Sequence, residues 1–291
     1  MKFYLFKLIL DITAQLPLKL IHLLGAGIGK LTWLTNSRIK RIAEKNIQHC
    51  FPELSQQQQI SLVKKTLSQT GKNILETGKM WRSSPQQALK LIQGFENLEL
   101  IAQAQNNGRG VILAIPHYGS WELVGLYCAS HYAMTSMYSP QEDAQADLLI
   151  RNARQRTGAK LVPTDINGIR AMSRALKQKE LVAILPDQSP KDNGIFAPFF
   201  GLTSYTMTLL PKLAKKTNAV VLFTYAQRLP DSSGFKLIFR AASEDLASLE
   251  LDAAVRRMNL DLEQLIREQP DQYQWTYKRF KRQPEGAASI Y

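Results

Sequence analysis

Downstream of residue 95, short apolar runs alternate with longer amphipathic stretches, a pattern typical of strands that alternate with helices. Two runs, Val111 to Ile115 and Leu181 to Leu185, are continuously apolar, as in strands buried on both faces of a sheet. The pattern predicts an α/β fold with a mostly parallel central sheet flanked by helices. The segment 187–205 is expected to be a long loop. Further strands are expected at 135–138, 220–226 and 235–240, and helices at 96–106, 120–130, 141–156, 168–178, 206–217 and 249–268.

The first 34 residues have a different pattern, in which most positions are apolar or small. The strongly polar residues up to His22 recur every three or four positions, so they lie along one side of a helix. Pro17 interrupts the run, which predicts a kink or a break into two shorter helices. Basic residues crowd the segment from Arg38 to Lys45, and such residues beside an apolar helix are attracted to a negatively charged cytoplasmic leaflet.

We therefore expect an N-terminal membrane-associated helix over residues 1–34 that anchors the chain, followed by a single α/β domain over residues 35–291. A helix that packs on the core with one wetted edge is the alternative. A span through the bilayer and a position in its interface both stay open. Within the domain, residues 36–80 are expected to form two helices broken at Phe51, with Ser55 capping the second.

The composition adds a strong positive charge, with a formal net charge of +13. Such a charge calls for an anionic partner, which is a membrane surface, a phosphorylated substrate, an acidic carrier protein or a nucleic acid. The two cysteines, Cys50 and Cys128, lack metal-binding spacing and are expected to be buried thiols. The histidines also lack the spacing of metal ligands, so no metal site is expected.

His117 and Glu122 form the first candidate for chemistry. The first apolar run ends in a proline, and His117 follows at the carboxyl end of the predicted strand. Gly119 and Ser120 predict a tight turn that places Glu122 in the first turn of the next helix. An imidazole in this position can take a proton from a hydroxyl, and a nearby carboxylate can hold the ring and stabilise its charged form. A histidine that only caps a turn is the alternative.

Asp187 and Gln188 repeat this arrangement after the second apolar run. That run also ends in a proline, so Asp187 follows its strand as His117 follows the first one. Because open parallel sheets bind ligands at the carboxyl ends of their strands, both residues are expected at the rim of one cleft.

The basic stretch from Arg151 to Lys160 contains the next candidates, Arg154 and Arg156. Arginine binds phosphate through two parallel hydrogen bonds, so at least one of these side chains is expected to face the cleft. Which of them does so stays open, and a solvated helix face is the alternative.

Two aromatic segments complete the set of candidates. Phe199 and Phe200 lie in the long segment after Asp187, and they are expected to wall the site of an alkyl chain, with ordinary core packing as the alternative. The segment from Trp275 to Arg282 mixes aromatic and basic residues. This mixture suits a membrane interface, and a basic tail or an RNA-binding strip has the same composition.

In this order, these segments resemble the late acyltransferases of lipid A biosynthesis, within the wider lysophospholipid acyltransferase superfamily. The resemblance covers nearly the whole chain. The acidic residue that follows His117 by five positions is Glu122 in this sequence. Asp is common at this position elsewhere in the superfamily, and Glu is frequent in the lipid A branch. The matching blocks are the HX4E motif from His117 to Glu122, Arg151 to Gly158, Asp187-Gln188, Phe196 to Gly201, and Trp275 to Arg282.

The resemblance implies an acyltransferase at the cytoplasmic face of the inner membrane. The donor would be a fatty acyl thioester on acyl carrier protein, whose phosphopantetheine carries the chain. The acceptor would be a hydroxyl on an acyl chain of a phosphorylated, anionic glycolipid, the lipid A precursor. No metal, dissociable cofactor or nucleic acid is implied. Backbone N–H groups of the turn 118–120 would hold the oxyanion. The residues assigned in this way are the catalytic pair His117 and Glu122 and the substrate-binding residues Arg154, Arg156, Asp187, Gln188, Phe199 and Phe200.

Three other functions are weighed against this one. Acylation of another lysolipid or glycolipid is the main alternative, because only the acceptor differs. The apolar N-terminal segment disfavours a basic nucleic-acid-binding protein, in which it would be a liability. A sheet-based hydrolase is disfavoured because the sequence has no Gly-x-Ser-x-Gly motif.

Overall fold

The helices and strands of the chain follow the predicted alternation. The computed structural model describes residues 2–35 and 37–291. The helices are α1 (Lys2–Gln15), α2 (Leu18–Leu34), α3 (Arg38–Cys50), α4 (Gln56–Arg82), α5 (Pro85–Leu89), α6 (Glu99–Asn106), α7 (Trp121–His131), α8 (Ala144–Gln155), α9 (Ile166–Lys177), α10 (Leu209–Thr217) and α11 (Leu251–Glu268). The strands are β1 (Ile92–Glu96), β2 (Val111–Ala114), β3 (Met134–Tyr138), β4 (Lys160–Pro163), β5 (Leu181–Ile184), β6 (Gly194–Phe199), β7 (Leu202–Met207), β8 (Val220–Arg228) and β9 (Phe235–Ala241).

In the described part of the chain, a seven-stranded sheet has the strand order β1-β9-β8-β2-β5-β3-β4. The strands β8, β2, β5, β3 and β4 run parallel, whereas β9 is antiparallel to β8 and pairs in parallel with the edge strand β1. The predicted α/β fold with a mostly parallel central sheet flanked by helices is confirmed. Because Ala114 of β2 pairs with Ile184 of β5, the segments after these two strands leave the sheet at the same edge.

Helices cover both faces of the sheet. Along β2, Ile112 and Ala114 point to one face and Val111 and Leu113 to the other, as the alternation of a strand requires. Apolar residues of α3, α9, α10 and α11 join the core on the first side, which we call the α10 face. Apolar residues of α5, α6 and α7 join the core on the second side, which we call the α7 face. Burial on both faces explains why the central runs are continuously apolar.

Several elements, including α5, β1, β6 and β7, were not predicted from the sequence. The segment expected to be a long loop contains an antiparallel hairpin of β6 and β7. Its turn is formed by Phe200 and Gly201, which both have positive φ angles, of 50° and 74°. Such turns usually have Asn or Gly at the first position, so a phenylalanine gives no sequence signal for the hairpin. The edge strand β1, with the sequence IQGFE, has no apolar run that would predict it.

The N-terminal segment forms two helices separated at Pro17, so the predicted break is confirmed and one continuous helix over residues 1–34 is not formed. Within residues 2–35 and 37–291, no helix combines the length and apolar character needed to cross a membrane. Both N-terminal helices pack against α4. A Cβ added to Gly25 would lie 2.5 Å from the Cα of Lys72, and one added to Gly71 would overlap the carbonyl of Gly25. Glycine at these positions lets the backbones of α2 and α4 touch.

A buried charged network joins α2 and α4 to the sheet. Glu76 of α4 accepts hydrogen bonds of 2.5 Å and 2.8 Å from Arg228 at the end of β8, and it lies 2.6 Å from Nε2 of His22 in α2. The other ring nitrogen of His22 lies 2.9 Å from the Ser232 hydroxyl. Burial raises the pKa of the Glu76 carboxyl, but the charge of Arg228 and the hydrogen bond with His22 outweigh burial and lower this pKa to about 2. The ionised carboxylate therefore holds three elements together.

We expect Glu76→Gln to lower the free energy of unfolding by about 3–5 kcal/mol at neutral pH, because Arg228 is left buried without its counter-charge. The folded-state pKa of about 2 lies below the ordinary value of 4.5. The stabilisation by this carboxylate is therefore complete above about pH 4.5 and disappears as the pH falls through about 2. The difference in unfolding free energy between wild type and variant, measured by chemical denaturation, should shrink over this window.

Glu53→Gln is the matched control. Glu53 pairs with Arg267 at the surface, and the two side chains are 52% and 46% exposed. Surface pairs of this kind contribute at most about 1 kcal/mol. Equal losses for the two variants at neutral pH would contradict the role given to the buried network.

Candidate active site

His117 and Asp187 meet at the carboxyl edge of the sheet, as the sequence predicts. The backbone N–H of His117 donates a hydrogen bond of 3.0 Å to Oδ2 of Asp187, and ring Nδ1 lies 3.0 Å from Oδ1 of the same carboxylate. The adjacent parallel strands β2 and β5 produce this contact, because each continues through a proline into its polar residue. Asp187 is buried and was expected among the substrate-binding residues. Its carboxylate holds the imidazole instead.

The charge of Asp187 determines which ring nitrogen of His117 is free to act. Burial raises the pKa of the Asp187 carboxyl, but the charge of His117 and the hydrogen bonds from its ring and backbone outweigh burial and lower this pKa. An ionised carboxylate only accepts hydrogen bonds, so Nδ1 carries the proton that points at it. In the neutral ring, Nε2 is therefore left as an acceptor, which is the state that a general base requires.

Gln188 and Gln274 complete the surroundings of Nε2. The side-chain nitrogen of Gln188 lies 3.2 Å from Nε2 of His117 and 3.2 Å from the amide oxygen of Gln274. One NH2 group can donate to both acceptors, so the three side chains form a consistent chain of hydrogen bonds. The backbone N–H of Gln274 also donates to the carbonyl of His117 at 3.0 Å. Gln274 was not among the sequence candidates, because nothing in its local pattern distinguishes it from neighbouring polar residues.

The turn after His117 is clamped by its neighbours. Gly119 has a φ of 60°, and a Cβ added there would overlap the carbonyl of Ala226 in β8. Its N–H donates to the carbonyl of Gln272 at 3.0 Å, and the N–H of Ser120 donates to the carbonyl of Ala226 at 2.9 Å. The prediction that backbone donors of the turn 118–120 hold an oxyanion is therefore corrected for these two positions. Both N–H groups already bond to carbonyls of the protein.

Glu122 does not hold the imidazole, and the expectation of a hydrogen-bonded His117–Glu122 pair is corrected. In the first turn of α7, its carboxylate accepts two hydrogen bonds from the guanidinium of Arg154, of which the one from Nε measures 3.2 Å. Burial raises the pKa of the Glu122 carboxyl, but the charge of Arg154 and its hydrogen bonds lower it overall. The contact that α7 makes with the imidazole comes from Trp121, whose ring centre lies 4.9 Å away in an edge-on arrangement.

The two candidate arginines form hydrogen bonds with protein groups, and the expected contact with a substrate phosphate stays a prediction. Arg154 is paired with Glu122 and lies 5.7 Å from the ring centre of Tyr138. The guanidinium of Arg156 donates to the carbonyls of Met80, at 2.5 Å, and Ser83 near the end of α4. These arginines join the α8 region to α7 and α4.

Phe199 and Phe200 are also placed differently from the expectation. Both belong to the core on the α10 face, where Phe199 is fully buried and Phe200 packs at an angle against the rings of Phe51 and Trp275. The alkyl-chain wall predicted for them is corrected, because they pack with other core side chains. Trp275 itself is only 2% exposed, so it does not offer its ring to a membrane interface.

An apolar cavity lies on the α7 face, between the sheet, α7, α8 and the end of α4. It is narrow, with a cavity volume of about 60 Å³. One end contains Ile115, Trp121 and Leu185. Ile115 and Leu185 lie two residues before His117 and Asp187 in the chain, and Trp121 contacts the His117 ring. No sequence signal separated these side chains from ordinary core. The remaining lining residues are Met80, Trp81, Glu122, Gly125, Leu126, Met134, Ser136, Met137, Ala153, Arg154, Ala159, Leu161 and Ala183.

In residues 2–35 and 37–291, no group of three or more His, Cys, Asp or Glu side chains is arranged to hold a metal ion. Cys50 and Cys128 are buried, as predicted. Burial raises the pKa of the Cys128 thiol to about 12, and the pKa of Cys50 is raised as well, so neither thiol is poised as a nucleophile.

The site thus combines the His117 imidazole, the buried carboxylate of Asp187 at its Nδ1, an acceptor at Nε2, and an apolar cavity lined by Trp121, which contacts the ring. An imidazole in this arrangement can act as a general base, and an apolar cavity of this kind can take an alkyl group. The family model of the bacterial lipid A biosynthesis acyltransferases matches residues 1–282. The chain belongs to this family of acyltransferases, and the resemblance found in the sequence is confirmed.

Individual relatives agree with the family. The chain is 31% identical over 288 residues to the lipid A biosynthesis lauroyltransferase of Escherichia coli (strain K12), covering 97% of this chain and 92% of that protein. It is 30% identical over 287 residues to the lipid A biosynthesis palmitoleoyltransferase of the same strain, with the same coverage of 97% and 92%. The lipid A biosynthesis myristoyltransferase of that strain is 23% identical over 268 residues, covering 91% of this chain and 82% of that protein.

We expect Asp187→Asn to move the proton of the neutral His117 ring from Nδ1 to Nε2. The asparagine oxygen would keep the hydrogen bond from the His117 backbone, which turns its NH2 group towards Nδ1 and makes that nitrogen an acceptor. Glu122→Gln should leave the tautomer unchanged. NMR of the ring nitrogens in isotope-labelled protein, with the His117 signal assigned by its loss in His117→Gln, distinguishes the two forms. A tautomer change in Glu122→Gln alone would reinstate Glu122 as the partner of the imidazole.

Proposed function

We propose that the protein transfers a fatty acyl chain from the thioester of an acyl carrier protein to a hydroxyl on an acyl chain of a lipid A precursor. The observation that carries this proposal is the imidazole of His117, held by Asp187 and in contact with Trp121, which lines one end of the apolar cavity. The named activities of the E. coli relatives, lauroyl and palmitoleoyl transfer in lipid A biosynthesis, support both the acyl group and the acceptor. No metal or dissociable cofactor enters the proposal.

In the proposed reaction, the acceptor hydroxyl donates its proton to Nε2 of His117, and its oxygen attacks the thioester carbonyl carbon. Asp187 stabilises the imidazolium that forms, because its ionised carboxylate already accepts the hydrogen bond from Nδ1. The carbon–sulfur bond then breaks. The departing phosphopantetheine sulfur takes the proton back from Nε2, so the products are an ester and a free carrier thiol.

Charge on the oxygen of the tetrahedral intermediate requires a hydrogen-bond donor. We assign this role to the side-chain amide of Gln188, which lies 3.2 Å from Nε2 and 3.2 Å from the amide oxygen of Gln274. The acceptor hydroxyl must displace the Gln188 N–H from Nε2 when it donates its own proton there, and this N–H is then free to donate to the oxyanion. The N–H groups of Gly119 and Ser120 stay bonded to carbonyls of the protein, so they do not compete for the role. A neutral donor held next to the developing charge lowers the barrier.

The Glu122–Arg154 pair has a different part in the proposal. Both side chains line the cavity, and the pair bridges α7 and α8 on either side of it. The negative charge of Glu122 interacts with His117 without a hydrogen bond between them, which favours the imidazolium. We therefore retain Glu122 in the machinery as a group that shapes the cavity and supports the charge of the ring through space.

Membrane association is proposed from the N-terminal helices. Many large apolar side chains of α1 and α2 are exposed to solvent, including Leu23 at 69% and Leu31 at 62%, and a groove between the two helices is lined mainly by apolar residues. Contiguous apolar surface of this extent marks an interaction site. We propose that the two helices lie in the cytoplasmic leaflet of the inner membrane. Exposed basic residues on the neighbouring α3, such as Arg38 and Lys45, would then meet anionic headgroups.

The net charge of +13 suits the other partners of the proposal, an acidic acyl carrier protein and a phosphorylated glycolipid, while nucleic acid has no place in it. Long-range attraction raises the rate at which such partners meet the protein.

His117→Ala is expected to lower transfer by about two orders of magnitude or more, the usual scale for loss of a general base. Transfer is measured with purified acyl carrier donor and lipid A precursor, by mass spectrometry of the acylated product, and folding is checked by circular dichroism. His131→Ala is the control, because His131 is an exposed histidine at the other end of α7. Near wild-type transfer in His117→Ala would refute the proposed base. Transfer to other lysolipids but not to the lipid A precursor would refute the proposed acceptor.

Leu23→Gln/Leu31→Gln is expected to weaken binding to vesicles by about tenfold or more, because each buried leucine contributes about 1.5–3 kcal/mol. Co-sedimentation with vesicles that contain anionic phospholipid measures the effect. The matched control is Ile166→Gln/Leu260→Gln, since these residues are 58% and 44% exposed but lie outside α1 and α2. Equal loss of binding in both double variants, or in neither, would remove the N-terminal helices as the membrane-binding surface.

A further inference from the structure

Gly125 is an unusual feature of the cavity. It lies in the middle of α7, where glycine weakens a helix relative to alanine. A Cβ added at this position would meet no atom within 4 Å, whereas one added at Gly25, Gly29, Gly71 or Gly78 would strike a neighbouring helix. Close packing therefore accounts for those glycines but not for Gly125. Its missing side chain leaves open space, and the residue lines the cavity.

The position of Gly125 along the cavity follows from the geometry of α7 and the sheet. Trp121, which contacts the imidazole, and Gly125 are four residues apart, so they lie on the same side of α7 and about 6 Å apart along its axis. The opposite wall extends from Leu185 down to Met134, whose pairing partner in β5 is Leu181. Four residues of strand span about 13 Å. Gly125 therefore lies about halfway along the cavity.

Buried side chains line the far end of the cavity, where Met134 and Ala159 are at most 6% exposed. A hydrocarbon that enters beside His117 must pass Gly125 before it reaches these residues. An end lined by packed side chains resists a longer chain, because those side chains would have to be displaced.

We propose that Gly125 sets the length of the fatty acyl chain that the protein accepts, by keeping the middle of the cavity open. The inference rests on the proposed function and adds the residue that selects the donor. A methyl group at position 125 removes space from the chain's path without touching any protein atom. A leucine at this position closes the path beyond the first turn of α7.

Transfer is measured over a series of acyl carrier donors that differ by two carbons, with one lipid A precursor as acceptor. Two turnovers are compared: that with the longest donor that the wild type uses, and that with the donor two carbons shorter. In Gly125→Ala, the ratio of the first turnover to the second should fall by about tenfold or more. This is the scale of discrimination for one methylene in a close-fitting pocket. Turnover with shorter donors should stay within about threefold. Gly125→Leu should use only the shortest donors.

Gly27→Ala is the matched control. Gly27 is also a helical glycine whose added Cβ would meet no atom within 4 Å, but it lines the groove between α1 and α2 and not the cavity. Because that groove belongs to the proposed membrane-binding surface, Gly27→Ala is compared by its length profile and not by its overall turnover. It therefore separates a change of helix propensity from a change of cavity shape. An unchanged length profile in both Gly125 variants, or the same shift in Gly27→Ala, would overturn the inference. A shift in acceptor preference with an unchanged donor profile would overturn it as well.

Binding of free fatty acids provides a second measurement that does not depend on transfer. Trp81 and Trp121 line the cavity, so their fluorescence reports on its occupation. Affinity should fall for long fatty acids, and not for short ones, in Gly125→Ala relative to wild type and Gly27→Ala. If wild type transfers no acyl group from the carrier but this pattern appears, the proposed function fails and the role of Gly125 stands. Equal affinities in all three proteins would refute that role even if wild type transfers acyl groups.

Discussion

The two hydrogen bonds between His117 and Asp187 are the interaction on which the site depends. They form because β2 and β5 are neighbours that run parallel and end in register. His117 and Asp187, which follow these two strands, are therefore placed side by side. Burial of the carboxylate makes the pairing specific, since an ionised group in this position needs every donor that surrounds it. The same pairing fixes Nδ1 as the donor and leaves Nε2 facing Gln188. The sheet thereby determines both the position and the tautomer of the imidazole.

The N-terminal helices depend on a comparable constraint. Their outer surfaces are apolar, yet they are attached to the rest of the protein by direct backbone contact between α2 and α4 and by the buried network of His22, Glu76 and Arg228. Because Arg228 ends β8 and Ala226, two residues earlier, accepts the hydrogen bond from Ser120, the elements that hold α2 also clamp the turn after His117. In the proposed function, this continuity gives a protein that lies on a membrane a fixed orientation of its cleft relative to the bilayer.

Most of the sheet and the meeting of His117 with Asp187 could be predicted, because continuous apolar runs that end in a proline are local signals. The partner of Glu122 could not be predicted in this way. Its position in the first turn of α7 was clear from the sequence, but the side chain that it meets, Arg154, comes from α8, whose placement depends on the whole crossover through β3. The role expected of Phe199 and Phe200 was wrong for a similar reason. Sequence does not reveal which face of a sheet an aromatic pair covers, and the turn at Phe200 has no ordinary turn signal.

The different environments of the two carboxylates explain how one site can contain both. Asp187 forms hydrogen bonds with both the ring and the backbone of His117, so its charge acts on His117 directly. Glu122 is ionised and paired with Arg154 of α8, so it interacts with His117 only through space. The pairing also keeps the cavity wall from exposing a lone charge to a hydrocarbon, which would be costly at an apolar surface. The salt bridge therefore makes a motif carboxylate compatible with an apolar cavity, while the carboxylate after the second strand serves the imidazole.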